Sequence, residues 1–170
     1  MEKRQAQDSA LRECIMAGLD GLRERIMQEA NAGWDTDSDA PMPYSASLDA
    51  LAAQVDDELI VLGDIGSHNQ WSRMALRSLH RNGFIPEGYW GAMGFGLPAA
   101  MAAKLAFPER RVITVPGAGC FLMSSADFST AVASGLNPVV LIPNDPRSGM
   151  IVGMHEGAFV RPFATALDGP

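Results

Sequence analysis

The chain has 170 residues, 47% of them hydrophobic and 19% charged, with a formal net charge of −7. That balance describes a folded domain with a substantial core and excludes a disordered segment. An acidic chain without a Lys/Arg cluster also argues against a nucleic-acid partner, and no apolar run reaches the roughly 20 residues needed to span a membrane.

The first expected element is a helix over residues 8–31. Leu11, Ile15, Leu19, Leu22 and Ile26 recur at helical spacing, and Asp8 or Ser9 can cap the start. The opening Met-Glu-Lys-Arg-Gln lacks the apolar core of a signal peptide. Cys14 and Cys120 lie far apart and in no metal-ligand spacing, so a reducing, cytoplasmic setting is expected. An Asp-rich stretch with prolines, Trp34 to Tyr44, reads as a linker. Residues 1–44 therefore read as a helical arm with its linker, and 45–170 as the main domain. The other reading, an ordinary first helix of that domain, stays open.

From there helices and strands alternate. Ser47 opens a helix over Leu48–Val55, and Leu59–Leu62 is an apolar run suited to a buried strand. A helix is expected over Trp71–His80, followed by a glycine-rich loop from Gly88 to Gly96. Pro98 fits the first turn of a small-residue helix running to Phe107. Val112–Val115 is the next strand. Ser124 and Asp127 form a capping-box-like pair before a helix to Ser134, which Gly135 stops. Val139–Ile142 is a further strand, ending at Pro143-Asn144-Asp145. Continuously apolar strands separated by helices imply an α/β three-layer sandwich around a mostly parallel, doubly wound sheet. Ligands bind such sheets at the carboxyl ends of the strands. Three loops lie there: 63–68, 116–120 and 143–149.

A dinucleotide reading of these loops fails on local context. Gly94-Phe95-Gly96-Leu97-Pro98-Ala99 fits G-x-G-x-x-A but lacks a strand immediately before it. Gly117-Ala118-Gly119 follows a strand, but Leu122 stands where the third glycine belongs.

Taken together, four segments carry more. They are Gly-Asp-Ile-Gly-Ser-His-Asn-Gln-Trp at 63–71, Gly-Ala-Met-Gly-Phe-Gly-Leu-Pro-Ala-Ala at 91–100, Gly-Ala-Gly-Cys-Phe at 117–121 and Asn-Asp at 144–145. In this order the chain resembles the diphosphate-binding domain of thiamine-diphosphate-dependent enzymes, within them the acetolactate synthase-like group, over roughly residues 45–155. That family carries Gly-Asp-Gly with Asn-Asn 27 residues after the first glycine, and here Asn144 follows Gly117 by 27. Ser148-Gly149-Met150-Ile151 lies where the family has a Gly-Met pair.

The resemblance implies a site for thiamine diphosphate and Mg2+. A diphosphate wants backbone N–H donors and a cation, and Mg2+ wants oxygen ligands. Gly66, Ser67 and His68 would line the diphosphate, Gly117, Gly119 and Cys120 would meet it with backbone groups, and Asn144 would belong to the same loop set. Gly149 and Met150 would close over the phosphates. Gly91 and Met93 would hold the aminopyrimidine, Met93 forcing the bent conformer of the cofactor; an ordinary packing methionine is the plainer reading. The chain departs from the family twice: Ala118 stands at the usual metal-binding Asp, and Asp145 at the second Asn. Asp145 is expected to restore the anionic ligand and the Arg147 backbone carbonyl to complete the set, with water at Ala118; the other reading is a broken metal site.

Cys120 lacks a His at a recognisable partner spacing and reads as a size choice rather than a nucleophile. His68, His80 and His155 show no metal-ligand pattern, and Trp71 and Trp90 read as core. The resemblance further implies that the glutamate activating the cofactor lies on a pyrimidine-binding domain, for which 170 residues leave no room. No catalytic residue is expected in this chain itself. Three explanations stand: a split enzyme acting on a 2-oxo acid with a partner chain in a hetero- or homo-oligomer, a non-catalytic accessory or assembly subunit, and a fragment of a longer chain.

Overall fold

Among the described residues of the computed structural model, four parallel strands build the sheet, in the order β2-β1-β3-β4. They are β1 (Leu59–Gly63), β2 (Phe84–Ile85), β3 (Arg111–Val115) and β4 (Val139–Val140). The structure describes residues 2–32, 34–35, 39, 41–76, 83–88, 90–159 and 161–167, with the side chains of 2–8 left undescribed. β1 and β3 pair along their whole length, Leu59 opposite Arg111 through Gly63 opposite Val115. All five residues of β1 are buried, as a central strand covered on both faces requires.

Side chains alternate across the sheet with period two. Leu59 and Val61 join Leu51, Leu76 and Val115 on one face, packed against Tyr44, Val55 and Phe84. Ile60 and Leu62 join Ala100 and Val112 on the other, packed against Ala99 and Ala103. The first face is covered by α2 (Tyr44–Ala52), followed in the chain by α3 (Ser67–Ala75), and the second by α4 (Gly96–Ala106). The expected α/β sandwich is thus what the chain forms. Pro98 sits in the first turn of α4, where its missing N–H costs nothing.

The N-terminal helix α1 (Glu2–Ala30) is docked near its end. Met27 packs with Leu48 and Ala75. The Arg23 guanidinium donates to the carbonyls of Met74 and Ala75, and Asn31 Nδ2 donates to Asp49 Oδ2 at 2.9 Å. Leu11, Ile15 and Leu19 stay more than half exposed. Among the described residues no helix is long and apolar enough to cross a membrane.

Several boundaries differ from the sequence reading. α3 begins at Ser67, not Trp71, because Gly66 breaks the chain direction just before it, with φ +139° and ψ −178°. Residues 77–80 of the expected helix, His80 included, lie outside the described residues. The loop at 116–120 turns into a helix at once, α5 (Ala118–Ser124), followed by α6 (Asp127–Ala133). The Ser124–Asp127 capping box does not form: Ser124 ends α5, Ala126 is the N-cap of α6, and no side chain caps it. A last helix, α7 (Gly149–Ala158), was not expected, because Gly149, Gly153 and Gly157 are poor helix formers. Trp71 is partly buried beside Met27, Leu48 and Ala75, whereas Trp90 is 94% exposed and is no core residue.

Candidate functional site

The strand order fixes where a ligand can sit. From β1 the chain crosses to β2 on one side, and from β3 to β4 on the other. The loops leaving β1 and β3 therefore diverge and open a crevice between them, the switch point of a doubly wound sheet. A cavity of about 390 Å³ lies there, lined by Ile65–His68 after β1, Gly117–Cys120 after β3, and Pro143, Asp145 and Arg147–Ile151 after β4. Gly91 and Met93 line it from the loop before α4, and Tyr44, Trp71 and Leu167 complete the wall.

The β1 loop is built around a buried carboxylate. Asp64 is fully buried; its Oδ1 accepts from the Ile65 N–H at 2.8 Å and its Oδ2 from the Gly96 N–H at 2.8 Å. The second of these bonds ties the end of β1 to the start of α4. Glu87 acts similarly on the next loop, accepting the Ala92 N–H at 3.2 Å and so shaping the turn that carries Gly91 and Met93. Gly91 and Gly94 sit at φ +62° and +88°, where a side chain would be strained.

His68 links the first two loops. Its Nε2 accepts the Gly117 N–H at 3.1 Å. The ring is wedged between two glycines: a Cβ on Gly66 would lie 2.7 Å from Cε1, and one on Gly117 2.9 Å from Nδ1. Burial holds its pKa below the ordinary histidine value, opposed in part by the charge of Asp64. The ring is thus a neutral acceptor toward Gly117, and its position requires both glycines.

The β3 loop presents backbone. The amides of Ala118, Gly119 and Cys120 open α5, where no carbonyl of the helix precedes them by one turn. The first amide to bond back is Phe121, to the Gly117 carbonyl at 2.9 Å. The Cys120 thiol points inward and donates to the Ile65 carbonyl at 3.0 Å. Burial, with Asp64 nearby, pushes it up to about 12, so it is a packed thiol and no nucleophile. A Cβ on Gly119 would lie 3.2 Å from Met93 Cε, so the β3 loop and the Met93 loop meet inside the cavity.

At the third corner Asp145, Ser67 and Gly149 converge. The Cβ position of Gly149 is 3.2 Å from Asp145 Oδ2 and 3.8 Å from Ser67 Oγ. Asp145 Oδ1 accepts the Arg147 N–H at 3.0 Å and faces Arg147 Nε at 3.6 Å. The main chain around Arg147 is held by residues near the C-terminal end: Arg147 bridges Ala166, Ser148 N–H donates to the Thr165 carbonyl at 2.8 Å, and Leu167 N–H to the Pro146 carbonyl at 2.7 Å.

The cavity brings together Gly66, Ser67, His68, Gly91, Met93, Gly117, Ala118, Gly119, Cys120, Asp145, Arg147, Gly149 and Met150. Asn144 is exposed and absent from its wall. Tyr44 and Leu167 went unread because only long-range packing brings them in. Tyr44 Oη pairs with Ser72 Oγ at 3.0 Å and burial pushes its pKa up to about 12. His155 lies away from this wall, its Nδ1 accepting the Phe163 N–H at 3.3 Å.

Known proteins place this geometry. Residues 64–168 match the family model described as thiamine pyrophosphate enzyme, C-terminal TPP binding domain. The chain is 33% identical over 111 residues to the acetolactate synthase isozyme 1 large subunit of Escherichia coli K12, covering 65% of this chain and 20% of that protein. It is 39% identical over 102 residues to the acetolactate synthase large subunit of Parasynechococcus marenigrum, covering 60% of this chain and 16% of that one. The mitochondrial acetolactate synthase catalytic subunit of Saccharomyces cerevisiae is 33% identical over 111 residues, 65% of this chain and 16% of its own. The chain thus spans a fifth or less of these relatives. With a crevice at the switch point that Gly66, Gly117 and Gly149 help to line, and a family match covering more than half of the chain, the conclusion is that this chain belongs to the thiamine pyrophosphate enzymes and carries their C-terminal TPP-binding domain, acetolactate synthase-like in sequence.

Proposed function

We propose that the domain at 45–170, with the arm and linker at 1–44, is the cofactor-binding half of a thiamine-diphosphate enzyme that decarboxylates a 2-oxo acid or joins two such acids as an acetolactate synthase does. One observation carries this reading: the loops after β1, β3 and β4 converge on a single cavity, and each of them brings a glycine to its wall, Gly66, Gly117 and Gly149. When bound, thiamine diphosphate supplies a carbanion that attacks the oxo carbon. This chain's part is to hold and orient. Ser67 and the amides opening α5 face the diphosphate, His68 fixes the β3 loop from behind, and Gly149 and Met150 close the phosphate end. Met93 supports the pyrimidine end and keeps water from the wall it covers.

No residue here is assigned the activating proton transfer. That glutamate belongs to a pyrimidine-binding domain, in a partner chain of an oligomer or in another part of a longer chain. The exposed apolar surface supports a covering partner: Leu122, Met123, Val132 and Met154 are each more than 60% exposed. A cytoplasmic setting, without nucleic acid or membrane, goes with this reading.

A second reading is favoured by one residue. Ala118 offers a methyl group where the family's metal-binding carboxylate stands, which suits an accessory subunit that keeps the fold without catalysis. Assaying acetolactate formation and CO2 release from pyruvate, for the full chain alone and mixed with a pyrimidine-domain chain, separates the two. Turnover only in the mixture supports the split enzyme. Cofactor binding without turnover in any mixture supports the accessory subunit.

A further inference from the structure

We propose that the Arg147 guanidinium takes the place of a divalent cation at the diphosphate corner, so that this chain holds the diphosphate without magnesium. The inference rests on the thiamine-diphosphate reading above. It starts from the donors present. Mg2+ demands near-octahedral oxygen coordination. The side-chain oxygens nearest the Gly149 Cβ position are Asp145 Oδ2 and Ser67 Oγ, and the Arg147 carbonyl is the main-chain candidate beside them. Ala118 lines the same cavity with a methyl group, and Asn144 is not in the wall. Asp145 is moreover already engaged: its Oδ1 takes the Arg147 N–H at 3.0 Å and lies 3.6 Å from Arg147 Nε. This set does not fit the ion.

The same corner holds a cation of another kind. Arg147 lines the cavity, and among the described residues its two Nη groups have no hydrogen-bond partner. Asp145 steadies the guanidinium from the Nε side, which leaves the outer fork to meet an anion. A planar fork of N–H donors matches two phosphate oxygens and carries its charge at every working pH. The root of the side chain is fixed, since the bridge to Ala166 and the bonds from Ser148 and Leu167 hold the main chain on both sides. With the carboxylate at 118 replaced by a methyl group, a doubly charged ion has lost a counter-charge, while a single guanidinium balanced by Asp145 has not.

The test is calorimetric titration of the full chain with thiamine diphosphate, once in EDTA and once in millimolar MgCl2, for the unaltered chain and Arg147→Ala. The substitution leaves the backbone carbonyl in place and removes a largely exposed side chain, so folding is checked by circular dichroism and is expected unchanged. Expected is an equal Kd in EDTA and in MgCl2 for the unaltered chain. A roughly tenfold or greater weakening is expected in Arg147→Ala, the loss of a charge-assisted bidentate contact. Inorganic pyrophosphate should compete with the cofactor and lose affinity in the same variant. Binding that appears only with MgCl2 overturns the inference while leaving the thiamine-diphosphate reading intact. So does an Arg147→Ala Kd in EDTA within twofold of the unaltered value. No binding in either buffer overturns the thiamine-diphosphate reading, and the inference with it.

Discussion

His68 and Cys120 show how burial, with Asp64 beside both, sets chemistry in this crevice. The folded His68 ring is a neutral acceptor with its pKa held below the usual value, while in the unfolded chain it titrates at about 6.5. The unfolded state therefore takes up the proton first. The stability carried by the neutral ring is present above that value and is lost as pH falls through it toward the folded pKa. Thermal melts should show Tm falling from pH 7 to 5.5, with a smaller slope in His68→Gln. Cys120, pushed up to about 12, stays a thiol in ordinary buffers, whereas Cys14 is exposed. Iodoacetamide at pH 8 should label Cys14 alone in the native chain, and both cysteines in denaturant, as read by mass spectrometry. Native labelling of Cys120 would mean that the crevice is open where the structure has it packed.

At the scale of elements, glycines divide into two kinds. Gly66 and Gly117 stand where a Cβ would meet the His68 ring at less than 3.0 Å. Gly153 and Gly157 lie in α7 with no atom within 4 Å of a Cβ, and neither has positive φ. Gly153→Ala should therefore stabilise the fold by about 0.5–1 kcal/mol, and Gly117→Ala should destabilise it and shift the His68 resonances. Urea melts and an NMR spectrum of each variant check both. The same division explains what was legible beforehand. β1 and β3 read correctly because they are apolar runs buried on both faces. α5 and α7 did not, because Gly119, Gly149, Gly153 and Gly157 hide helices that tertiary packing forms anyway. β2, two residues long, is too short to show a pattern; its register with Val61 and Leu62 and the packing of Phe84 and Ile85 place it. The site's loops were legible through their glycines and spacing; Tyr44 and Leu167 were not, since they arrive from distant parts of the chain, and Asn144 kept its spacing without reaching the wall.

For the whole molecule, the arm and the crevice have different supports. α1 is fastened by Met27, 5% exposed, and by Arg23, while Leu19 remains 55% exposed. Met27→Ala should cost about 2–3 kcal/mol and Leu19→Ser less than about 0.5 kcal/mol in a urea melt. The central claim concerns the crevice, and it is tested most directly by locating the cofactor. Thiamine diphosphate titrated into the full 15N-labelled chain should shift the backbone amides of Ser67, Gly117, Ala118, Gly119, Cys120 and Gly149 in one saturable step. Shifts centred on Arg23 and Asp49, where α1 docks, or none at the β1 and β3 loops at saturating cofactor, would contradict the account.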